Sequence, residues 1–124
     1  YITLTEGEID ALSAFQMLGS KYPCVSLRNG VSGVAKDIRE SYDWLISFDC
    51  IVICFDDDEV GRQASKKAAE LLSPKARIMR MSYKDANEYL QNDESSRFTL
   101  TFETAGLNFL IYKQNLTFLK SSLD

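Results

Sequence analysis

Short apolar runs rich in β-branched residues alternate with longer amphipathic stretches along this chain. The apolar runs cover residues 1–5, 21–27, 50–55 and 76–81. A parallel sheet produces this alternation, because consecutive parallel strands need a long connection between them, usually a helix. The run 50–55 is apolar on both faces, which is typical of a strand at the centre of such a sheet. The pattern therefore predicts an α/β fold with four strands.

The stretches between these runs have helical character. They predict helices over residues 9–18, 34–48, 59–72 and 85–91. Ser73-Pro74 ends the third of these helices, because proline has no N–H to donate and its ring blocks the preceding turn. From residue 92 the pattern changes: residues 98–102 alternate as a half-exposed strand would, and residues 107–119 are apolar without a clean period. We therefore predict a domain over residues 1–91 and an extension of uncertain structure over residues 92–124.

The composition limits the kinds of catalytic site that this chain can form. The chain has no histidine, which excludes imidazole-based catalysis and leaves carboxylates, lysines, hydroxyls or a bound metal. Cys24, Cys50 and Cys54 lie in apolar runs without C-x-x-C spacing, so we expect buried, reduced thiols. No apolar stretch approaches the roughly 20 residues of a membrane-spanning helix. The reduced thiols lead us to expect an intracellular, cytoplasmic domain. Because the chain begins at Tyr1 and shows no signal peptide, we also expect it to be excised from a longer protein.

The charge balance limits how the chain can hold nucleic acid. Fourteen Lys and Arg against eighteen Asp and Glu give a net charge of −4. This sign is wrong for binding by phosphate neutralisation alone. If the chain acts on nucleic acid, metal ions or a basic neighbouring domain must contribute.

Acidic residues follow the ends of three predicted strands. Glu6 comes after the first strand, Asp56 and Asp58 after the third, and Asp85 after the fourth. In open α/β sheets, ligands bind in the crevice beyond the carboxyl ends of the strands, so we expect these acids to converge there. Side chains alternate along extended chain, which predicts that Asp56 and Asp58 point to one side and Asp57 to the other.

Converging carboxylates need a counter-charge. Two of them about 4 Å apart repel by roughly 4 kcal/mol at an effective dielectric constant near 20. Oxygen ligands without histidine or cysteine select Mg²⁺ or Mn²⁺ over zinc, and such ions commonly serve phosphoryl transfer. Helix capping is the alternative explanation for each acid, with Asp58 and Glu59 starting the helix 59–72 and Glu6 or Asp10 starting the helix 9–18.

Three segments of the sequence resemble the motifs of the TOPRIM domain. They read TEGEIDALS at residues 5–13, FDDDEVG at residues 55–61 and KDANE at residues 84–88. Their order and spacing match over roughly residues 1–90. The first and third resemble the primase branch of that superfamily, especially phage-type bifunctional primase-helicases and bacterial replicative primases. Type IA and type II topoisomerases and OLD-type nucleases usually differ after the first Glu-Gly pair.

The resemblance implies a Rossmann-like TOPRIM fold over residues 1–91, with a mainly parallel sheet of about four strands flanked by helices. It implies Mg²⁺-dependent synthesis of RNA primers from nucleoside triphosphates on a single-stranded DNA template, in phage or bacterial replication. Zinc-binding and helicase domains would lie outside this chain. Matching the motifs by position makes Glu6 a general acid or base or an organiser of the metal, and Asp56 and Asp58 the principal metal ligands. Asp10 and Asp85 would be supporting acids.

Basic and glycine-bearing segments give weaker expectations. Lys84, beside Asp85, is the main candidate for binding phosphate. Arg62 and Lys66 share one helix face at i, i+4 and are further candidates, although a solvated face explains them as well. Residues 28–33 fit either a backbone nest for phosphate or a glycine turn that ends in a Ser32 N-cap.

Gly7 and Gly61 would let backbone pass close to the site.

Two rival functions remain open at this stage. A metal-dependent nuclease would use the same acids with water in place of the 3′-hydroxyl. A non-catalytic module would bind nucleic acid or metal without turnover.

Overall fold

The computed structural model of the protein describes residues 1–106. Four parallel strands form one sheet in the order β2-β1-β3-β4: β1 (Ile2–Thr5), β2 (Cys24–Ser26), β3 (Ile51–Cys54) and β4 (Ala76–Ile78). The helices are α1 (Glu8–Met17), α2 (Val34–Glu40), α3 (Tyr42–Leu45), α4 (Glu59–Leu71) and α5 (Ala86–Gln91), with one 3-10 turn (Val31–Gly33). Residues 95–106, up to the last described residue, are also helical and are named α6.

Helices cover both faces of the sheet, as the predicted α/β fold requires. Ile51 and Ile53 of β3 face one apolar cluster, which contains buried residues of α2, α3 and α4. Val52 and Cys54 face a second cluster, which contains buried residues of α1, α5 and α6. Because side chains alternate along a strand, both faces of β3 must be apolar, and all four of its residues are buried. The central position predicted for residues 50–55 is confirmed.

Helix α1 buries a different face from the one that its large apolar residues suggest. Ala11, Ala14 and Met17 are buried, whereas Ile9 and Leu12 are 62% and 66% exposed. Small alanine side chains let a helix approach a sheet closely, and this close packing takes precedence over the larger apolar residues. The helix predicted over residues 9–18 is present, but Ile9 and Leu12 lie outside its buried side.

The strand predicted at residues 98–102 is wrong, since these residues belong to α6. Phe98 and Phe102 are buried at helical spacing, while Leu100, the middle apolar residue of the apparent alternation, is 64% exposed. Thr101 and Thr104 hydroxyls donate to carbonyl oxygens four residues earlier, as threonines in helices do. Phe98 and Phe102 belong to the same apolar cluster as Val52 and Cys54 of β3. The domain boundary at residue 91 stays a prediction.

The loop over residues 28–33 is closed by a carboxylate of the chain itself. The backbone N–H and the side-chain amide of Asn29 each donate to Asp37, at 2.9 Å. These hydrogen bonds lower the pKa of Asp37. Helix α2 begins after Gly33 as its N-cap, so the predicted Ser32 N-cap is wrong; the Ser32 hydroxyl donates to the Asn29 carbonyl. Because Asp37 already takes the Asn29 N–H, this loop does not offer that donor to a phosphate.

Cys24, Cys50 and Cys54 are all free thiols, with Cys50 and Cys54 buried and Cys24 partly buried. No helix among residues 1–106 is long and apolar enough to cross a membrane. The apolar stretch 107–119 lies outside the described residues.

Candidate metal centre

The carboxyl ends of β1 and β3 lie side by side and place two of the predicted acids together. Thr5 pairs with Cys54 at the end of the ladder, and Glu6 and Asp56 follow within two residues. Glu6 Oε1 accepts a hydrogen bond of 3.0 Å from the backbone N–H of Asp56. Glu6 caps no helix, because the N-cap of α1 is Gly7. The capping explanation for Glu6 is therefore excluded.

Three aspartates from distant parts of the chain converge at this edge of the sheet. Asp10 lies in the first turn of α1, Asp56 follows β3, and Asp85 precedes α5. Each offers a carboxylate oxygen within 4.8 Å of the other two, and each side chain is part-buried. We call these three residues the aspartate triad.

Asp10 is held in place from across the fold. Its Oδ1 accepts a hydrogen bond of 3.1 Å from the backbone N–H of Asn87. The Asn87 side chain in turn accepts a hydrogen bond of 2.9 Å from the Ser13 hydroxyl. Sequence reasoning missed Asn87 and Ser13 as positioning residues, although both belong to the motifs at residues 84–88 and 5–13.

Asp85 and Asp58 each cap the helix that follows them. Asp85 Oδ1 accepts from the Glu88 N–H at 3.0 Å, and Asp58 Oδ1 accepts from the Gly61 N–H at 2.7 Å. The spacing D-x-x-E at residues 85–88 is itself a helix-start signal. These two acids therefore cap a helix and also belong to the acidic cluster. Both roles are compatible because the cap uses only one of the two carboxylate oxygens.

Gly61 is needed where α4 begins. A Cβ at this position would lie 2.0 Å from the carbonyl oxygen of Asp56 and 2.8 Å from Glu6 Oε1. Side chains do not tolerate such distances. A Cβ at Gly7 would meet its nearest atom, on Asp10, at an ordinary 3.9 Å. The predicted close approach of backbone is therefore found at Gly61 and not at Gly7.

The acids at this edge perturb one another. Burial and the neighbouring charges of Asp10, Asp85 and Asp58 raise the pKa of Asp56 to about 6. Burial and the charges of Asp56, Asp58 and Asp10 raise the pKa of Glu6 to about 6 as well. Burial also raises the pKa of Asp10. The five predicted acids therefore form one electrostatic cluster, in which Glu6 and Asp58 stand beside the triad.

Charged side chains next to the cluster come from the segments after β3 and β4 and from α4. Asp57 points away from it and forms an ion pair of 2.9 Å with Arg62, which also reaches Glu59 at 3.6 Å. The Lys84 ammonium lies close enough to oppose the raised pKa values of Asp56 and Asp10, which burial dominates. Lys66 is exposed on α4, one turn after Arg62. Of the three predicted phosphate ligands, only Lys84 adjoins the triad directly.

The donor set of the triad fits a hard divalent cation. It consists of carboxylate oxygens alone, among residues 1–106, and such ligands suit Mg²⁺ or Mn²⁺. A cation would also offset the charge repulsion that, in addition to burial, raises the pKa of Asp56. The centre therefore has suitable ligands for a divalent ion, and the positive charge of that ion would reduce the repulsion among the carboxylates.

Known proteins with similar sequences and structures agree with this description. The profile of the Toprim-like family matches residues 3–90. The DNA helicase/primase of Enterobacteria phage T3 is 42% identical over 88 residues, which are 70% of this chain and 16% of that protein. The chain thus spans about one sixth of that relative.

Two solved structures are similar to this fold. The crystal structure of the primase fragment of the bacteriophage T7 primase-helicase protein superimposes with a TM-score of 0.74 at 39% identity, over 80% of this chain and 41% of that chain. A chain from the structure of bacteriophage T7 lagging-strand DNA polymerase interacting with primase domains, bound to an RNA/DNA hybrid and dTTP, gives a TM-score of 0.75 at 38% identity. This match covers 81% of this chain and 52% of that chain.

The family profile covers well over half of the chain, and its matched residues include all five acids of the cluster. The sheet order, the parallel pairing and the similarity to phage primase structures point the same way. The chain belongs to the Toprim-like family.

Proposed function

We propose that this chain is the catalytic core of a DNA primase or primase-helicase and supports Mg²⁺-dependent nucleotidyl transfer during RNA primer synthesis on single-stranded DNA. The observation that carries the proposal is the aspartate triad, whose oxygens lie within 4.8 Å of one another although Asp10, Asp56 and Asp85 are far apart in sequence. Its position beyond the carboxyl ends of the strands is where α/β sheets bind ligands. The similarity to phage primase chains supports this choice of reaction.

The reaction joins a primer 3′-hydroxyl to a nucleoside triphosphate. The hydroxyl oxygen forms a bond to the α-phosphorus, the bond from that phosphorus to the pyrophosphate leaving group breaks, and the hydroxyl proton passes to a base. Asp10, Asp56 and Asp85 would hold Mg²⁺, with Asp58 contributing beside them. The bound ion would supply stabilisation of the charge on the reacting phosphate oxygens.

Glu6 is the proposed proton acceptor. Its pKa of about 6 makes it a better base than an ordinary glutamate while leaving it mostly ionised at neutral pH. The Asp56 N–H fixes one of its oxygens at 3.0 Å, which holds the carboxylate at the edge of the triad. Lys84 would bind a phosphate at the centre, and Arg62 and Lys66 would bind phosphates further along α4.

The wider setting is proposed with the reaction. The partners would be a single-stranded DNA template and nucleoside triphosphates, with zinc-binding and helicase domains outside this chain. The setting would be intracellular, in phage or bacterial replication. The chain's coverage of only 16% of its phage relative leaves room for such domains in a protein of that kind.

The test is primer synthesis by the protein, including any sequence that flanks this chain in its reading frame. It is incubated with labelled single-stranded DNA, ribonucleotides that carry a different label, and Mg²⁺, and the products are separated by size. We expect short RNA products that depend on Mg²⁺. Asp56→Asn should abolish them, and Asp57→Asn, whose side chain points away, should retain them.

Other outcomes would replace this proposal. Degradation of the labelled template by the same acids would make the protein a metal-dependent nuclease. Mg²⁺ binding without either product would make it a non-catalytic module. If Asp56→Asn leaves Mg²⁺ binding by calorimetry unchanged, the proposed metal ligands are wrong.

A further inference from the structure

A groove of about 900 Å³ runs beside the metal centre, between α4 and the edge strand β4. Asp56 is the one member of the aspartate triad among its lining residues, so the groove reaches the metal centre at that residue. Its lining also contains four cationic side chains, namely Arg62, Lys66, Arg77 and Arg80. We call this feature the basic groove.

The cations of the basic groove are concentrated on a chain whose net charge is negative, at −4. The acidic residues in the lining, Asp56, Asp57 and Glu59, all come from the short stretch directly after β3. The groove is therefore acidic where it meets the metal centre and basic along α4 and β4. This polarity suits a ligand whose reacting end needs a metal and whose remaining length is anionic.

Two of the cations are available to a ligand. Lys66 and Arg80 are exposed, and neither forms an ion pair with any residue among 1–106. Arg62 pairs with Asp57 and Glu59, but all three side chains are solvent-exposed, and exposed pairs are weak enough to rearrange. Arg77 donates to the carbonyl oxygens of Pro74 and Ala76, which holds its guanidinium beside the strand.

The groove also offers apolar surface next to these charges. Ile78 of β4 lines it and is 43% exposed, and Ala69 and Met81 line it as well. A nucleotide combines an apolar base and sugar with anionic phosphates, and thus matches both parts of the lining. A simple anion would use only the charges.

We propose that the basic groove binds the phosphates of a nucleotide chain and leads that chain to the metal centre. The proposal rests on the proposed function, which it deepens by adding a path for the substrate along α4 and β4. The chain could be an oligonucleotide strand or the triphosphate of a nucleotide, since both present consecutive phosphates. Arg77 and Arg80 are assigned to this path in addition to Arg62 and Lys66.

The experiment measures binding of a fluorescein-labelled oligodeoxythymidylate by anisotropy, in EDTA and over a range of salt concentrations. The test variant is Lys66→Ala with Arg80→Ala. The matched control is Lys67→Ala with Arg39→Ala, which also removes one lysine and one arginine, both exposed and both outside the groove lining. Thermal melts verify that both double variants fold.

The groove variant should bind about tenfold more weakly or worse, and the slope of log K against log salt should shrink by about 0.7 for each lost phosphate contact. The control should keep the slope of the unchanged protein. Equal losses in the two double variants would mean that only net charge matters, and this would overturn the proposal. An unchanged slope in the groove variant would exclude the oligonucleotide strand as the ligand and leave the triphosphate as the one to be tested.

A second arm uses a fluorescent ATP analogue with the same variants and distinguishes the two sources of phosphate. Weaker binding of the analogue alone assigns the groove to the triphosphate, and weaker binding of the oligonucleotide alone assigns it to the strand. If neither probe is affected, the proposal fails. Calorimetry with Mg²⁺ on the groove variant separates this failure from that of the proposed function, since the metal centre should bind Mg²⁺ whether or not the groove binds nucleotides.

Discussion

The carboxylate of Glu6 accepts a hydrogen bond from the backbone N–H of Asp56, with 3.0 Å between Oε1 and N. This contact joins the carboxyl ends of β1 and β3, which are neighbours in the sheet. It fixes Glu6 at the edge of the triad and leaves the Asp56 carboxylate directed toward Asp10 and Asp85. One hydrogen bond thus links the architecture of the sheet to the geometry of the centre.

The close packing around this contact explains why residue 61 is glycine. We expect Gly61→Ala to lower the free energy of unfolding by at least about 2 kcal/mol, because the new Cβ would overlap the Asp56 carbonyl at 2.0 Å and overpacking of this kind costs about 1–3 kcal/mol or more. The shift needed to relieve the overlap would also displace Glu6. Urea unfolding measures the first effect, and Mg²⁺ calorimetry measures the second.

Gly7→Ala is the matched control for this change. Its Cβ would meet Asp10 at 3.9 Å, so the cost should stay within about 1 kcal/mol, most of it from the poorer N-cap. Equal stability losses in the two variants would contradict the steric explanation.

Asp58 has two roles that different substitutions can separate. Asp58→Ala removes the acceptor for the Gly61 N–H, and we expect a loss of about 1 kcal/mol in the free energy of unfolding. Asp58→Asn keeps an N-cap of equal quality and removes one negative charge beside Asp56. Its stability without metal should therefore match or exceed that of the unchanged protein, while its affinity for Mg²⁺ should fall. An equal loss of stability in both variants would argue against the capping role.

Much of the site could be predicted because strand ends are visible in sequence. Glu6, Asp56 and Asp85 follow apolar runs, and parallel strands bring their carboxyl ends to one edge. The placement of Asp10 depended on the resemblance to a family, since a residue in the first turn of a helix is also explained by the helix dipole. The contact between Asp10 and the Asn87 backbone joins residues 77 apart, and no local pattern reports such a contact.

The fold was less predictable where packing takes precedence over local pattern. The alternation over residues 98–102 is real, but Leu100 points to solvent and the phenylalanines meet the core at helical spacing. In helix α1 packing also took precedence over the pattern of large apolar residues, because alanines packed against the sheet and left Leu12 exposed. Period alone specifies which side chains share a face, and the shape of the neighbouring element decides which face is buried.

The link from Ser13 through Asn87 to Asp10 predicts an effect on metal binding without direct contact. Ser13→Ala removes the hydroxyl that holds the Asn87 side chain, so Asp10 should lose part of its fixed position. We expect Mg²⁺ affinity to fall about tenfold, as changes to residues that orient metal ligands commonly cause. Stability should fall by about 1 kcal/mol. Ser32→Ala, which removes an exposed hydroxyl that donates to the Asn29 carbonyl of its own loop, is the control and should change neither quantity.

The raised pKa values of Asp56 and Glu6, both about 6, predict how stability changes with pH in the absence of metal. Between about pH 4 and pH 6 the folded chain binds protons that the unfolded chain does not, so the free energy of unfolding should increase as the pH falls from 7 to 5. Part-exposure of both groups limits the gain to about 1 kcal/mol. Urea unfolding in EDTA measures this increase.

Asp56→Asn should reduce that pH dependence, because it removes one of the two titrating groups and the repulsion that raises the pKa of the other. Asp57→Asn should keep it, since Asp57 faces Arg62 instead of the triad. Saturating Mg²⁺ at pH 7 should stabilise the unchanged protein in place of protons, by an amount that grows with its concentration relative to the dissociation constant. A fall in stability from pH 7 to pH 5 in EDTA would contradict the raised pKa values, because carboxylates whose pKa is raised by burial and repulsion gain protons on folding.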